Sequence, residues 1–348
     1  MSSAPLPRSF EEIAEGAVYQ YGAFEVTKDD IIAFASEFDP QPFHLDEEAG
    51  RKSMLGGLAA SGWHTAGIAM RLHADNLLSG GFFLGSPGVP ELNWMKPVFP
   101  GDILSVNARV KSARISQSRP GLGIVEFEFT LSNQHGERKM VSQGVILAAS
   151  KDMDRSKPIA RGTPPAPDSR EPDARGISNP ASLPDNNSML SGYWDDVPIG
   201  ETFDMGTYHF DRESVIGFAK KFDPQSFHID EKAAESGPFG ALTASGWHTA
   251  AAAMRRLVLS RKPYYEEARR RGLPEPAKGP SPGFRDLKWI KPVYAGDTLR
   301  YTSTPADKRR TSREGWGLLF TRVDGWNQRE EKIFEYTSAS FWPRREAG

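Results

Sequence analysis

From Thr27 to Phe38 the chain reads TKDDIIAFASEF, and Ile31, Phe34, Ala35 and Phe38 fall at i, i+3, i+4 and i+7, one face of a helix. Thr27 can cap the first turn, with Asp30 at the third helical position. Val215, Phe218, Ala219 and Phe222 repeat the stripe far downstream. Both helices are expected to stop at Asp39 and Asp223, because Pro40 and Pro224 push the preceding residue out of the helical region. A further helix is expected in GGLAASGWHTAGIAMRL, whose alanines and glycines let a sheet close tightly around it. Strand patterning is clearest in GIVEFEFTL, where Val125, Phe127, Phe129 and Leu131 alternate with Glu126, Glu128 and Thr130. More strands are expected in GDILSVNARV, KMVSQGVILAAS, GDTLRYTST, WGLLFTRV and KIFEYTSASFW. The pattern is α+β, with an antiparallel sheet and helices on one face.

The stripe recurs because the chain repeats itself. FDPQPFHLD, Phe38 to Asp46, returns as FDPQSFHID, Phe222 to Asp230, and ASGWHTA begins at both Ala60 and Ala244, each pair 184 residues apart. LNWMKPV from Leu92 matches LKWIKPV from Leu287 at an offset of 195, so the second copy carries 11 extra residues between these motifs. They are expected to form a charged, proline-rich loop near RKPYYEEARRRGLPEPAKGPSP. A unit of about 150 residues is a whole domain rather than a solenoid repeat, which points to duplication and fusion. The reading gives an N-terminal domain over residues 1–150, a linker over 151–190 and a C-terminal domain over 191–348. Proline and charge in the linker favour an extended surface segment.

Composition narrows the functions. A net charge of -2, from 43 basic and 45 acidic side chains, supplies no basic field for nucleic acid or anionic lipid. The absence of cysteine excludes disulfides, thiolate catalysis and cysteine-ligated metal centres, and fits the cytosol. No stretch approaches the roughly 18 apolar residues of a membrane helix, and MSSAPLPRSFEEIAEG lacks the apolar core of a signal peptide, so a soluble, unexported chain is expected.

The repeated nonapeptide, the helix before it, the ASGWHTA glycine and the W-x-K-P-V-x-x-G-D strand start together resemble the MaoC-type dehydratases, the (R)-specific enoyl-CoA hydratase family. The likeness covers both halves, omitting the linker, the insertion and the termini. It implies a tandem, double hot-dog fold, each half an antiparallel sheet wrapped around a central helix and the halves paired through their sheet edges. It also allows a homodimer of the fused chain. The activity implied is reversible hydration of a trans-2-enoyl-CoA to a 3-hydroxyacyl-CoA, without metal or other cofactor and with an acyl-CoA thioester as the partner molecule. Asp39 with His44, and Asp223 with His228, match the acid/base pair of that family. Gly62 and Gly246, each 23 residues after its aspartate, match the glycine whose N–H faces the thioester oxygen. Gln41 and Gln225 stand where the family pattern has asparagine, Ser61 and Ser245 where it has histidine, and Ser226 replaces the second proline in copy two.

Taken alone, an Asp-Pro turn with a nearby histidine is a common surface feature. Recurrence of aspartate, histidine and glycine at one spacing favours chemistry. His64 and His248 read as packing or supporting histidines, and Trp94 and Trp289 as sheet-packing aromatics. Asp46 and Asp230 form H-x-D with the dyad histidines, but no third and fourth ligand follows at metal spacing, so they read as solvated or histidine-orienting carboxylates. The glycines of GGLAASG lack the order of a dinucleotide loop. Hot-dog proteins also serve as acyl-thioester hydrolases or as non-catalytic acyl-CoA-binding modules, and fold alone does not choose.

Overall fold

The structure, a computed structural model, describes residues 3–154, 159, 192–273 and 279–345. Ten strands form a single antiparallel sheet: β1 Val18–Glu25, β2 Phe83–Trp94, β3 Ile103–Ile115, β4 Leu122–Ser132, β5 Arg138–Ala149, β6 Phe203–His209, β7 Gly283–Trp289, β8 Thr298–Arg310, β9 Trp316–Trp326 and β10 Lys332–Pro343. Their order is β1-β3-β4-β5-β2-β7-β10-β9-β8-β6, so each half supplies five strands and the second half repeats the first in reverse across the β2–β7 seam. The seam pairs Gly88 with Lys288 and Leu92 with Phe284. A Cβ on Gly88 would lie 2.2 Å from the Leu287 carbonyl oxygen, so close strand approach requires glycine there.

Every strand read from the sequence is present. β1, β2, β6 and β7 were not among the expected strands, and β2 shows why: Gly85, Pro87, Gly88 and Pro90 interrupt its alternation. The W-x-K-P-V-x-x-G-D motif is turn chemistry. Gly101 and Gly296 sit at φ +86 and +94, and Asp102 and Asp297 accept the N–H groups of Phe99 and Tyr294 at 2.9 and 2.8 Å.

The helices of the first half are α1 Lys28–Phe38, α2 Pro42–Leu45, α3 Glu47–Lys52 and α4 Gly62–Asp75; those of the second are α5 Arg212–Phe222, α6 Ser226–Ile229, α7 Glu231–Glu235 and α8 Gly246–Arg270. Thr27 and Asp30 form a full capping box at α1. The central helix starts at Gly62 rather than in the preceding GGLAAS, because the Ser61 side chain caps it. The 11 extra residues of the second half are not a loop from the start. α8 has 25 residues against 14 in α4 and runs through Pro263 to Arg270, burying Tyr264 and Ala268. Residues 274–278, and the linker reading over most of 151–190, lie outside the described residues.

One apolar core runs through both halves. Phe34 and Phe222 cross the seam edge to face at 5.5 Å, as do Phe38 and Phe218. Arg71 donates to the Lys220 carbonyl at 2.9 Å and Arg255 donates to the Glu37 carbonyl, so each central helix caps the last turn of the other half's first helix. No helix among the described residues is long and apolar enough to cross a membrane.

Candidate active sites

Asp39 ends α1 with its N–H donated to the Ala35 carbonyl at 2.9 Å, and Pro40 turns the chain away. The single turn of α2 then brings His44 back. Its Nδ1–H donates to the Ala59 carbonyl at 2.7 Å, which fixes the ring and leaves Nε2 facing Asp39 Oδ2 at 3.5 Å. The second half repeats this geometry. His228 Nδ1 meets the Thr243 carbonyl at 2.7 Å and its Nε2 lies 3.4 Å from Asp223 Oδ2. All four side chains are at least nine-tenths buried. The structure therefore brings together both pairs that the sequence picked out.

Four further residues hold the carboxylates, and sequence reasoning had noted them only as departures from a pattern. Gln41 Nε2 donates to Asp39 Oδ1 at 2.9 Å and Ser61 Oγ donates to Oδ2 at 2.7 Å. Gln225 and Ser245 do the same for Asp223, at 2.9 and 2.6 Å. The available signal was recurrence, since both residue types keep their spacing in both copies.

Gly62 and Gly246 are the first residues of α4 and α8, where a backbone N–H has no acceptor inside the helix. Each lines the same pocket as the dyad of its own half. The glycines are needed because an indole lies against them. A Cβ on Gly62 would come 2.4 Å from Trp94 Cε2, and one on Gly246 2.3 Å from Trp289 Cε2. Trp94 and Trp289 are thus pocket walls over the helix N-termini as well as sheet residues. Trp289 Nε1 donates to the Gly246 carbonyl at 2.9 Å, whereas Trp94 Nε1 has no partner among the described residues.

Two cavities lie at the seam. One, of about 430 Å³, holds Asp39, His44 and Gly62 and is closed by second-half residues including Met254, Leu257, Tyr336 and Phe341. The other, of about 320 Å³, holds Asp223, His228 and Gly246 and is closed by first-half residues including Met70, His73, Phe129 and Met140. Neither dyad is enclosed by its own half alone.

His64 and His248 are core residues. They stack on Phe34 and Phe218 at 4.7 and 4.6 Å, and burial pushes each imidazole down to about 3, so both are neutral. Asp46 and Asp230 do not orient the dyad histidines. They are exposed N-caps that accept the N–H groups of Ala49 and Ala233 at 2.8 and 2.9 Å. Among the described residues no cluster of three or more His, Cys, Asp or Glu could hold a metal ion.

Residues 9–128 and 196–317 match the family model described as MaoC like domain. The chain is 33% identical over 124 residues to the uncharacterized protein YdeM of Bacillus subtilis, which covers 36% of this chain and 86% of that protein. A shorter stretch, 54 residues at 37% identity and 16% of each chain, is similar to mesaconyl-CoA hydratase of Cereibacter sphaeroides. A crystal structure of a putative MaoC domain dehydratase from Chloroflexus aurantiacus superimposes with a TM-score of 0.75 at 16% identity, covering 99% of this chain and 100% of that one. A conserved hypothetical protein of Mycobacterium tuberculosis described as a double hotdog fold gives a TM-score of 0.66 at 16% identity, covering 96% and 98%. The shared architecture is therefore the double hot dog.

Proposed function

The chain belongs to the MaoC-like dehydratase family, and on that premise we propose that it reversibly adds water to a trans-2-enoyl thioester of coenzyme A, giving the 3-hydroxyacyl thioester, at both seam cavities. The observation that carries the reading is the twice-built site: an Asp/His pair and an unengaged helix N-terminal N–H on the wall of one cavity.

With Nδ1–H given to a carbonyl, His44 turns its Nε2 toward Asp39. The 3.5 Å between Nε2 and Oδ2 exceeds a charge-assisted N–H···O contact of about 2.8 Å. A water between them donates one O–H to each. Its oxygen bonds to the β-carbon while the pair takes a proton, and the π electrons shift toward the thioester oxygen. The Gly62 N–H donates to that oxygen as it becomes enolate-like, aided by the positive end of the α4 dipole. The pair then returns a proton to the α-carbon, so the net change is one H and one OH added across the double bond. His228, Asp223 and Gly246 serve the second cavity in the same way. The reaction calls on no metal or organic cofactor.

The test is the absorbance of the conjugated enoyl thioester mixed with the purified chain in chelator, with free thiol measured in parallel. Loss of absorbance without thiol release is expected. Thiol release would identify a hydrolase, and binding with neither change a non-catalytic module.

A further inference from the structure

The two cavities are built on one duplicated frame, but their far walls differ. In the ladder of the first half Phe127 pairs with Gly144 and Phe129 with Ser142; in the second half Thr321 pairs with Ser338 and Val323 with Tyr336 at the corresponding rungs. The cavity at Asp223/His228 is thus walled by Phe129, Met140 and Ile146 beside Ser142 and Gln143, whereas the cavity at Asp39/His44 is walled by Thr321, Tyr336, Ser338 and Ser340 beside Phe341. Where α4 ends at Asp75, α8 continues, and its added length carries Arg261 onto the wall of the Asp39/His44 cavity.

Two donors in that cavity have no acceptor among the described residues. Tyr336 is 2% exposed, lines the cavity and has no hydrogen-bond partner among the described residues. Arg261 packs its guanidinium over the Trp342 ring at 5.2 Å and has no carboxylate partner among the described residues. A buried phenol without an acceptor is costly, and the half-buried Arg261 guanidinium on the same wall is a cation that a ligand's acceptor can meet. Burial pushes the Tyr336 phenol up, so it stays a donor, and Tyr336, Arg261 and Asp39 all line one cavity. Arg261 therefore shares the cavity of the dyad, whereas the coenzyme A phosphates stand the length of the pantetheine arm away from a reacting thioester.

Resting on the hydratase reading of the site, we propose that the Asp39/His44 cavity takes an enoyl thioester whose acyl chain ends in a carboxylate, met by Arg261 and Tyr336, while the Asp223/His228 cavity takes an apolar chain.

The experiment uses the full chain carrying Asp223→Asn, with 2-pentenoyl-CoA and 4-carboxybut-2-enoyl-CoA as the paired substrates. The carboxylated thioester is expected to have the higher kcat/KM. Arg261→Met, which keeps a stem over Trp342, is expected to shrink the ratio of the two by about 10- to 100-fold, and Tyr336→Phe by a smaller factor. Arg261→Lys should restore part of the ratio. An equal loss on both substrates would mean that Arg261 holds a coenzyme A phosphate, and a ratio that never favours the carboxylated chain would mean that the wall is not a carboxylate site; either overturns the proposal. Calorimetry with pentanoyl-CoA and 4-carboxybutanoyl-CoA judges the cavity apart from turnover. If no enoyl thioester is hydrated, the hydratase reading fails, and the Kd ratio with and without Arg261→Met then decides the carboxylate site by itself.

Discussion

The hydroxyl of Ser61 donates to Asp39 Oδ2 at 2.7 Å, and Ser61 Oγ itself accepts the Trp63 N–H at 3.2 Å. One side chain thus caps the central helix and holds the carboxylate of the site. Ser245 repeats the arrangement with Asp223 and Trp247. Position and chemistry are coupled: the helix cannot shift its first turn without moving the aspartate's hydrogen bond.

Ser61→Ala with Ser245→Ala should therefore act twice. Loss of each cap and of each bond to a charged acceptor should cost about 2 kcal/mol per site, read as a lower denaturant midpoint. Hydration should fall about 10-fold, and threonine at both positions should recover most of it. Unchanged turnover in the alanine pair would show that the hydroxyls serve the helix alone.

Gly62→Ala places a methyl against the Trp94 indole, where the Cβ would stand 2.4 Å from Cε2. Overpacking of this kind costs about 1–3 kcal/mol. Because the clash is with one side chain, Trp94→Leu in the same chain should relieve it. A double-mutant cycle on unfolding free energy is expected to show positive coupling of about 1 kcal/mol or more. Additive effects would mean that the helix start tolerates the methyl for another reason.

The capping box at Thr27 and Asp30, the apolar stripe of α1 and the alternation of β4 are written in neighbouring residues, which is why they were legible. The dyads were legible because duplication displayed each residue twice. The seam strands were not, since Gly88 in β2 answers to Lys288 of the other half rather than to a local period. Nor were the cavity walls: the contrast between Ile146 and Ser340, or the reach of Arg261 on the longer α8, acquires meaning only when the fold shows which half closes which dyad. The charged, proline-containing run that ends α8 was read as loop because a proline weighs against helix, yet α8 runs through Pro263 and buries Tyr264 and Ala268.

His64, His73 and His248 are all pushed down by burial from 6.5 to about 3. The folded-state value lies below the unfolded one, so between these values the unfolded chain binds protons that the folded chain does not. Stability is then full above about pH 6.5 and is lost as pH falls. The combined slope for three histidines approaches about 4 kcal/mol per pH unit below about pH 6. Urea midpoints at pH 7 and 5 should show this, and His64→Leu should reduce the slope by about 1.4 kcal/mol per unit. A slope that His64→Leu leaves unaltered would locate the acid sensitivity elsewhere.

Asp39 and Asp223 sit in separate cavities, each closed by the opposite half, so the two dyads can be removed independently without opening the seam. Asparagine keeps the size of the carboxylate and an acceptor for the Ser61 or Ser245 hydroxyl, while it removes the charge that faces the imidazole. Asp39→Asn and Asp223→Asn should each leave a substantial share of hydration across a set of enoyl thioesters of differing length and end group. The share left should depend on the substrate, because Tyr336 and Arg261 wall one cavity and Phe129 and Met140 the other. The double substitution should remove the general acid/base contribution, about 100-fold or more in kcat. Packing asks for neither a carboxylate nor an imidazole at a buried helix exit, so a half kept only as scaffold would be free to lose them. If one single substitution abolishes turnover on every thioester tried, only that dyad is catalytic, and the other nonapeptide is a structural turn.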